Sequence, residues 1–73
     1  MAEKSRTRMF TGKNGHYALE FEDENGSVHG KATGPAPFNK AGWVSVVAEA
    51  YGGNDDEVEM LLVEKVRAYE SAP

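Results

Sequence analysis

Two histidines and two glutamates of this 73-residue chain have the residue types that could bind a metal ion. Two Asn-Gly turns predict strands that place His16 and His29 on one sheet face. In that register they lie ~20 Å apart along the strands, so one ion cannot join them. His29 with Glu20 and Glu22 could hold a weak surface cation, but a cross-strand pair with Glu22 is its favoured role. We therefore expect no metal site and no cofactor.

General acid–base catalysis is the second chemistry that Glu20 and Glu22 could perform, and it needs a carboxyl group with a raised pKa. Both are predicted on an open sheet face, without the apolar surround that raises a pKa. The sequence has no Ser-His-Asp spacing, phosphate-binding glycine loop or nucleotide fingerprint. It also has no cysteine. We predict that the protein is not an enzyme.

The spacing of Ala48, Gly52 and Val58 matches the turn of a DNA-reading helix-turn-helix. In that motif the first residues of the second helix lie against base edges and phosphates. Here those positions carry four carboxylates, which repel phosphate. They are Asp55, Asp56, Glu57 and Glu59. The segment is therefore predicted to join two helices rather than to read DNA.

Basic residues concentrate in the first 40 residues, which hold six of the eight. A flexible basic arm (1–6) and the polar sheet face could use them to contact nucleic acid. The predicted contacts are Lys4, Arg6, Arg8, Lys13 and Lys31. However, that sheet face also carries glutamates and no predicted aromatic residue on which bases could stack. A nucleic-acid-binding accessory protein is therefore the second hypothesis.

The first 33 residues are predicted to form a three-stranded antiparallel meander that positions these side chains, with strands at about 7–12, 16–23 and 27–33. Two-residue turns would pair Phe10 with Leu19 and Leu19 with Ala32. Both registers give the same apolar face, and the opposite face is polar, which is typical of a sheet covered on one side. The apolar face carries Phe10, Tyr17, Leu19, Phe21, Val28 and Ala32.

Two C-terminal helices, at about 39–51 and 54–70, are predicted to cover the apolar face of the sheet. Asn39 and Asn54 can cap them, and the acidic residues after Asn54 favour a helix start. The β-branched residues within 42–51 also allow a fourth strand there. Apolar alternation allows the last segment to be the fourth strand instead, in the order βββαβ.

The chain is predicted to be one domain (1–73) with a frayed tail at 71–73. No apolar run approaches the ~20 residues that span a bilayer. The N-terminus also lacks the apolar core of a signal peptide. Together with the absence of cysteine, these features lead us to expect a cytoplasmic protein without membrane contact.

Three short segments, GHYALEFEDE, AGWVSVVAEA and VEK, resemble fragments of MbtH-like proteins. The resemblance implies a small cofactor-free partner of adenylation domains, with a three-stranded sheet and C-terminal helices. The Ser-x-Trp-Pro part of that family's signature is absent, because Ser27-Val28-His29-Gly30 stands in its place. No function or site residue is therefore carried over.

These features favour a small non-catalytic protein–protein interaction module. It would be an adaptor or stoichiometric inhibitor of phage or bacterial accessory type, for example an inhibitor of a host defence complex. Residues 41–73 carry a net charge of −5, from two basic and seven acidic residues. This charge favours a partner with a basic or neutral surface, and a homodimer is also allowed. The predicted partner surface is the outer side of the last helix: Asp55, Asp56, Glu59, Met60, Val63 and Arg67.

Overall fold

A computed structural model describes residues 5–35 and 44–71 of the chain. They form an antiparallel sheet followed by a helix: β1 (Ser5–Thr11), β2 (His16–Glu24), β3 (Ser27–Pro35), β4 (Val44–Gly52) and α1 (Asp55–Ser71). The strand order is β1-β2-β3-β4, so each strand pairs with its neighbour in the sequence. The predicted α+β class and the β-meander are confirmed, although the sheet has a fourth strand.

The two Asn-Gly turns behave differently. Asn25 and Gly26 have φ angles of 51° and 83°, as the two central residues of a type I′ hairpin turn require. The β2–β3 register is therefore the predicted one. In the first hairpin the N–H of Gly12 bonds to the carbonyl of Gly15 at 2.9 Å, so the chain reverses at Lys13 and Asn14, one residue earlier than predicted. Phe10 consequently pairs with Tyr17, two residues from its predicted partner, and a shift of two preserves the predicted sheet faces.

Residues 44–52 form β4, so the predicted helix at 39–51 is wrong over the part that the structure describes. Residues 39–43 lie outside the described residues. β4 pairs with β3 from Val28–Gly52 to Pro35–Val44. This pairing supplies hydrogen-bond partners to the second edge of β3, and the β-branched residues of the segment suit a pleated surface. The alternative of a strand within 42–51 is confirmed.

The last segment is the helix α1, so its alternative interpretation as a fourth strand is wrong. Its start has the predicted cap: Oδ1 of Asn54 accepts the N–H of Glu57 at 2.8 Å. The carboxylate of Glu57 reaches back and accepts the N–H of Gly53 at 2.9 Å. These bonds satisfy two backbone donors near the first turn. Among the described residues, no helix is long and apolar enough to cross a membrane.

The core lies between α1 and the apolar face of the sheet. Three helix side chains, Val58, Leu62 and Val66, are fully buried there. They pack on the sheet residues Tyr17, Leu19, Phe21, Val28, Ala32 and Ala50. Phe10 lies at the edge of this cluster and is partly buried. The apolar face predicted from the sequence is therefore the core face.

Candidate functional site

The sheet face opposite α1 is one of two surfaces that could contact a partner, and we call it the open face. Side chains alternate between the two sides of a strand, so the open face carries the residues between the core positions. We define it by Thr7, Met9, Glu20, Glu22, Glu24, His29, Lys31, Val46, Glu49 and Tyr51. No helix or strand of residues 5–35 and 44–71 packs on it. The outer side of α1 is the second surface.

At the start of α1, the acidic residues are engaged with arginines from β1. Nε and Nη2 of Arg6 donate to the two carboxylate oxygens of Asp55, at 2.6 and 2.8 Å. Arg6 also contacts Asp23 at 3.0 Å. The hydrogen bond from Arg6 lowers the pKa of the Asp55 carboxyl below its ordinary value. The pair with Asp55 joins residues that lie 49 positions apart in the sequence.

Arg8 also connects β1 to the first turns of α1. Its guanidinium donates to Asp56 at 3.2 Å and also pairs with Glu59. The guanidinium carbon lies 5.5 Å from the ring centre of Phe21, within cation–π distance. The hydrogen bond to Glu59, followed by the one to Asp56, raises the pKa of Arg8. The carboxylates that are predicted to bind a partner protein and the arginines that are predicted to contact nucleic acid therefore neutralise each other.

The remaining predicted partner-binding residues are spread over the outer side of α1. The Met60 side chain is 60% exposed, whereas Val63 is half-buried and packs against the core. Arg67 is exposed and lines a pocket of about 420 Å³ with Phe10 and Lys13. Met60 is thus the large apolar side chain that the described part of α1 leaves exposed.

The predicted nucleic-acid contacts are not brought into one patch. Arg6 and Arg8 lie on the helix side of β1, while Lys31 lies on the open face, where it pairs across the strands with Glu20 and Glu49. The Lys13 backbone lies in the β1–β2 turn. Lys4 lies outside the described residues.

The open face carries most of the chain's net charge of −4. Within the described residues, four carboxylates stand against one lysine there, for a formal charge of −3. The carboxylates belong to Glu20, Glu22, Glu24 and Glu49, and the lysine is Lys31. An anionic surface of this kind repels phosphate and attracts basic groups.

Exposed apolar side chains lie on the same face. Met9, Val46 and Tyr51 are 66%, 48% and 59% exposed, and they join Met60 as the large exposed hydrophobic residues of the described chain. Val46 reaches the open face because the β3–β4 register shifts between Ala32 and Thr33, which pairs Val46 with Thr33. The expectation that this face has no exposed aromatic residue is wrong, because Tyr51 belongs to β4.

His29 is a largely enclosed polar side chain of the open face, at 13% exposure. Its ring stacks on Tyr51 with centres 4.3 Å apart and planes 12° from parallel. Nε2 lies 3.3 Å from Glu49, and Nδ1 lies 3.8 Å from Glu24. Glu22 is directly opposite His29, as predicted. Sequence reasoning misses Glu49 and Tyr51, because the pattern of residues 39–51 predicts a helix there.

His16 is placed far from His29. It pairs with Thr11 at the closing end of the first hairpin, and its Nδ1 lies 3.0 Å from the Thr11 hydroxyl. The two histidines therefore do not share a site, as the sequence predicts.

A second polar cluster joins the end of α1 to the β1–β2 turn. The Glu70 carboxylate accepts the backbone N–H groups of Lys13 and Asn14, at 3.0 and 2.9 Å, and the Tyr17 hydroxyl at 2.7 Å. Burial, followed by the hydrogen bond to Glu70, raises the pKa of Tyr17 to about 12. Burial alone would raise the pKa of Glu70, but the three hydrogen bonds together lower it. Nothing in the sequence pattern indicates this contact.

Replacement of Glu70 by glutamine is expected to lower the melting temperature at neutral pH, because a charged acceptor of three hydrogen bonds is lost. The pKa of Glu70 is lower in the folded protein than in the unfolded chain. The ionised carboxylate therefore stabilises the fold at pH values above the pKa of an unfolded carboxyl group, and this stabilisation is lost as pH falls through the folded pKa. The difference in melting temperature between wild type and Glu70→Gln should therefore shrink in acid, as measured by circular dichroism.

The exposed Glu64 of α1 provides the matched control. Glu64→Gln should change the melting temperature little at any pH. A difference for Glu70→Gln that stays constant into acid would show that the carboxylate charge is not the source of the stabilisation.

Comparison of the chain with protein-family models, curated proteins and solved structures found no match. The short resemblance to MbtH-like proteins is thus not accompanied by a family match. The functional argument consequently depends on the geometry of the two surfaces.

Proposed function

We propose that the protein is a small non-catalytic protein–protein interaction module that binds its partner on the open face. It would act as an adaptor or stoichiometric inhibitor, of the kind found among phage or bacterial accessory proteins. The observation that carries this proposal is the combination of Met9, Val46 and Tyr51, all exposed, with a formal charge of −3 on one face.

The two kinds of side chain would have separate roles in binding. Apolar and aromatic side chains at the centre of an interface provide most of its affinity, and tyrosine is among the residues that do so most often. Surrounding charges steer the approach of the partner and exclude surfaces of the wrong sign. Charge complementarity therefore favours a partner protein whose contact surface is basic at its rim and apolar at its centre.

The outer side of α1 is less suited to this role. Asp55, Asp56 and Glu59 are held by Arg6 and Arg8, so a partner there would have to compete with an internal cation. Among the described residues of α1, Met60 alone is a large and mainly exposed apolar side chain. The open face has three large exposed apolar side chains, and its carboxylates have fewer internal cations.

The same contacts weigh against a nucleic-acid-binding function. Contact with phosphate needs cations that are available for it. Arg6 and Arg8 each pair with two carboxylates, and Lys31 stands among the glutamates of an anionic face. Tyr51 could stack on a base, but the charge around it repels the backbone that would deliver the base.

Site-specific photocrosslinking in cells of the source organism tests the proposal. A photoreactive amino acid at Tyr51 should capture one defined protein, and the same amino acid at Met60 should not. The captured protein is then purified, and its affinity for the wild type is measured by calorimetry.

In the reconstituted complex, Tyr51→Ala is expected to weaken binding by about 2 kcal/mol, or roughly 30-fold, as for an aromatic residue at an interface centre. Met60→Ala is the matched control and should leave the affinity unchanged. Loss of binding in Met60→Ala but not in Tyr51→Ala would move the interface to α1. Retention of the protein on DNA or RNA that weakens steeply with salt would instead favour the nucleic-acid hypothesis.

A further inference from the structure

One end of the open face brings together an imidazole and two carboxylates. The ligand atoms of Glu22, Glu24 and His29 all lie within 4.8 Å of one another. Glu22 and His29 are cross-strand partners of β2 and β3, and Glu24 lies two residues after Glu22 on the same face. The β2–β3 pairing therefore fixes the position of all three backbones.

One distance within this cluster is close to the distance that a metal ion requires between two of its ligands. At a metal–ligand distance of about 2.1 Å, tetrahedral donors lie roughly 3.4 Å apart. Nδ1 of His29 and Oε2 of Glu24 are already 3.8 Å apart. Glu24 is exposed, so a small rotation of its side chain closes the remaining gap without a change in the core.

His29 is also held in an orientation suited to a ligand. The ring is stacked on Tyr51, and Nε2 faces the Glu49 carboxylate at 3.3 Å. A proton on Nε2 that is donated to Glu49 leaves the lone pair of Nδ1 directed toward Glu24. Metal-binding histidines commonly donate their second ring N–H to a carboxylate in this way, which fixes the tautomer and increases ligand basicity.

We propose that Glu22, Glu24 and His29 bind a divalent transition-metal ion of the Zn²⁺ class, with Glu49 orienting His29. The imidazole selects for such an ion over Mg²⁺, which prefers oxygen ligands. Three protein ligands on an exposed face leave a coordination position for water or for a side chain of another molecule. The inference requires only the chain itself and does not rest on the proposed partner.

Titration of the full chain with Zn²⁺ in a non-chelating buffer, followed by calorimetry, tests this site. We expect saturable binding of one ion, with Mg²⁺ at least about tenfold weaker. Glu24→Gln and His29→Gln should each reduce Zn²⁺ affinity by at least about tenfold, and Glu49→Gln by roughly tenfold through loss of the outer-shell contact.

The matched control is Glu20→Gln, which removes one negative charge from the same strand and face but no proposed ligand. Its Zn²⁺ affinity should stay within about threefold of wild type, because Glu20 supplies no ligand and the loss of one exposed surface charge has a small effect. Long-range ¹H–¹⁵N spectra should show the shift at Nδ1 of His29 and none at His16. Circular dichroism of each variant establishes that it is folded.

Three outcomes would overturn the inference. The first is no saturable binding of Zn²⁺ by the folded wild type. The second is equal weakening by Glu20→Gln and Glu24→Gln, which would mean general attraction to a negative face. The third is a shift at His16 instead of His29. None of these outcomes affects the proposed interaction function, which is measured with the partner protein.

Discussion

Replacement of Leu62 by alanine is expected to lower the free energy of unfolding by about 2–5 kcal/mol. Leu62 is fully buried at the middle of the α1 stripe that faces the sheet, so the truncation leaves a cavity between two rigid layers. A domain of this size has a total stability of roughly 5 kcal/mol or slightly more. A loss near the upper end of this range would leave the variant partly unfolded at room temperature, and any loss within it should lower the urea midpoint measured by circular dichroism.

Met60, on the exposed side of the same helix, provides a matched control. Met60→Ala removes a side chain of similar size, and it should change the free energy of unfolding by no more than about 0.5 kcal/mol. Similar losses for both variants would mean that α1 does not present Leu62 to the sheet and Met60 to solvent.

The second large effect is expected from Gly30→Ala, because overpacking at this position should lower the free energy of unfolding by about 1–3 kcal/mol. Gly30 lies in β3 directly beneath α1. A methyl group there would overlap the Val58 side chain and lie 2.9 Å from Cδ1 of Leu62. The helix can approach the sheet this closely because position 30 has no side chain, so the added atom forces α1 outward.

Two further variants separate this mechanism from a general effect of losing glycine. In Gly53→Ala the new methyl group would meet only Glu57, at an ordinary 3.5 Å, and stability should be nearly unchanged. In the double variant Gly30→Ala, Val58→Ala, the loss of stability should be smaller than the sum of the two single losses, because the shortened side chain at position 58 makes room for the new methyl group. Additive losses in the double variant would contradict a clash between residues 30 and 58.

The parts of this fold that the sequence predicts are those with a local physical cause. Asn25 and Gly26 can adopt positive φ angles at low cost, so they mark the β2–β3 turn and its register. Asn54 and Glu57 mark the start of α1, because they supply acceptors to backbone N–H groups next to them in the sequence. Alternation along β2 then identifies the core face.

The parts that sequence reasoning missed depend on distant contacts. Val46, Val47 and Ala50 fit both a helical and an extended pattern, and the edge of β3 decides between them by offering backbone partners. Without β4, neither Tyr51 nor Glu49 could be placed beside His29. The pairs of Arg6 and Arg8 with the start of α1 also escaped prediction, because charge distribution along a chain does not reveal which charges meet.

The neighbour-by-neighbour strand order has a consequence for how the chain acquires its structure. Each hairpin of the sheet closes between adjacent segments, so strand pairing needs only short-range searches and should be fast. The helix that covers the apolar face of the sheet, however, follows all four strands in the sequence. During synthesis the paired strands therefore emerge from the ribosome before α1, with Tyr17, Leu19 and Phe21 still exposed. That interval is when the nascent protein is most vulnerable to aggregation and to proteases.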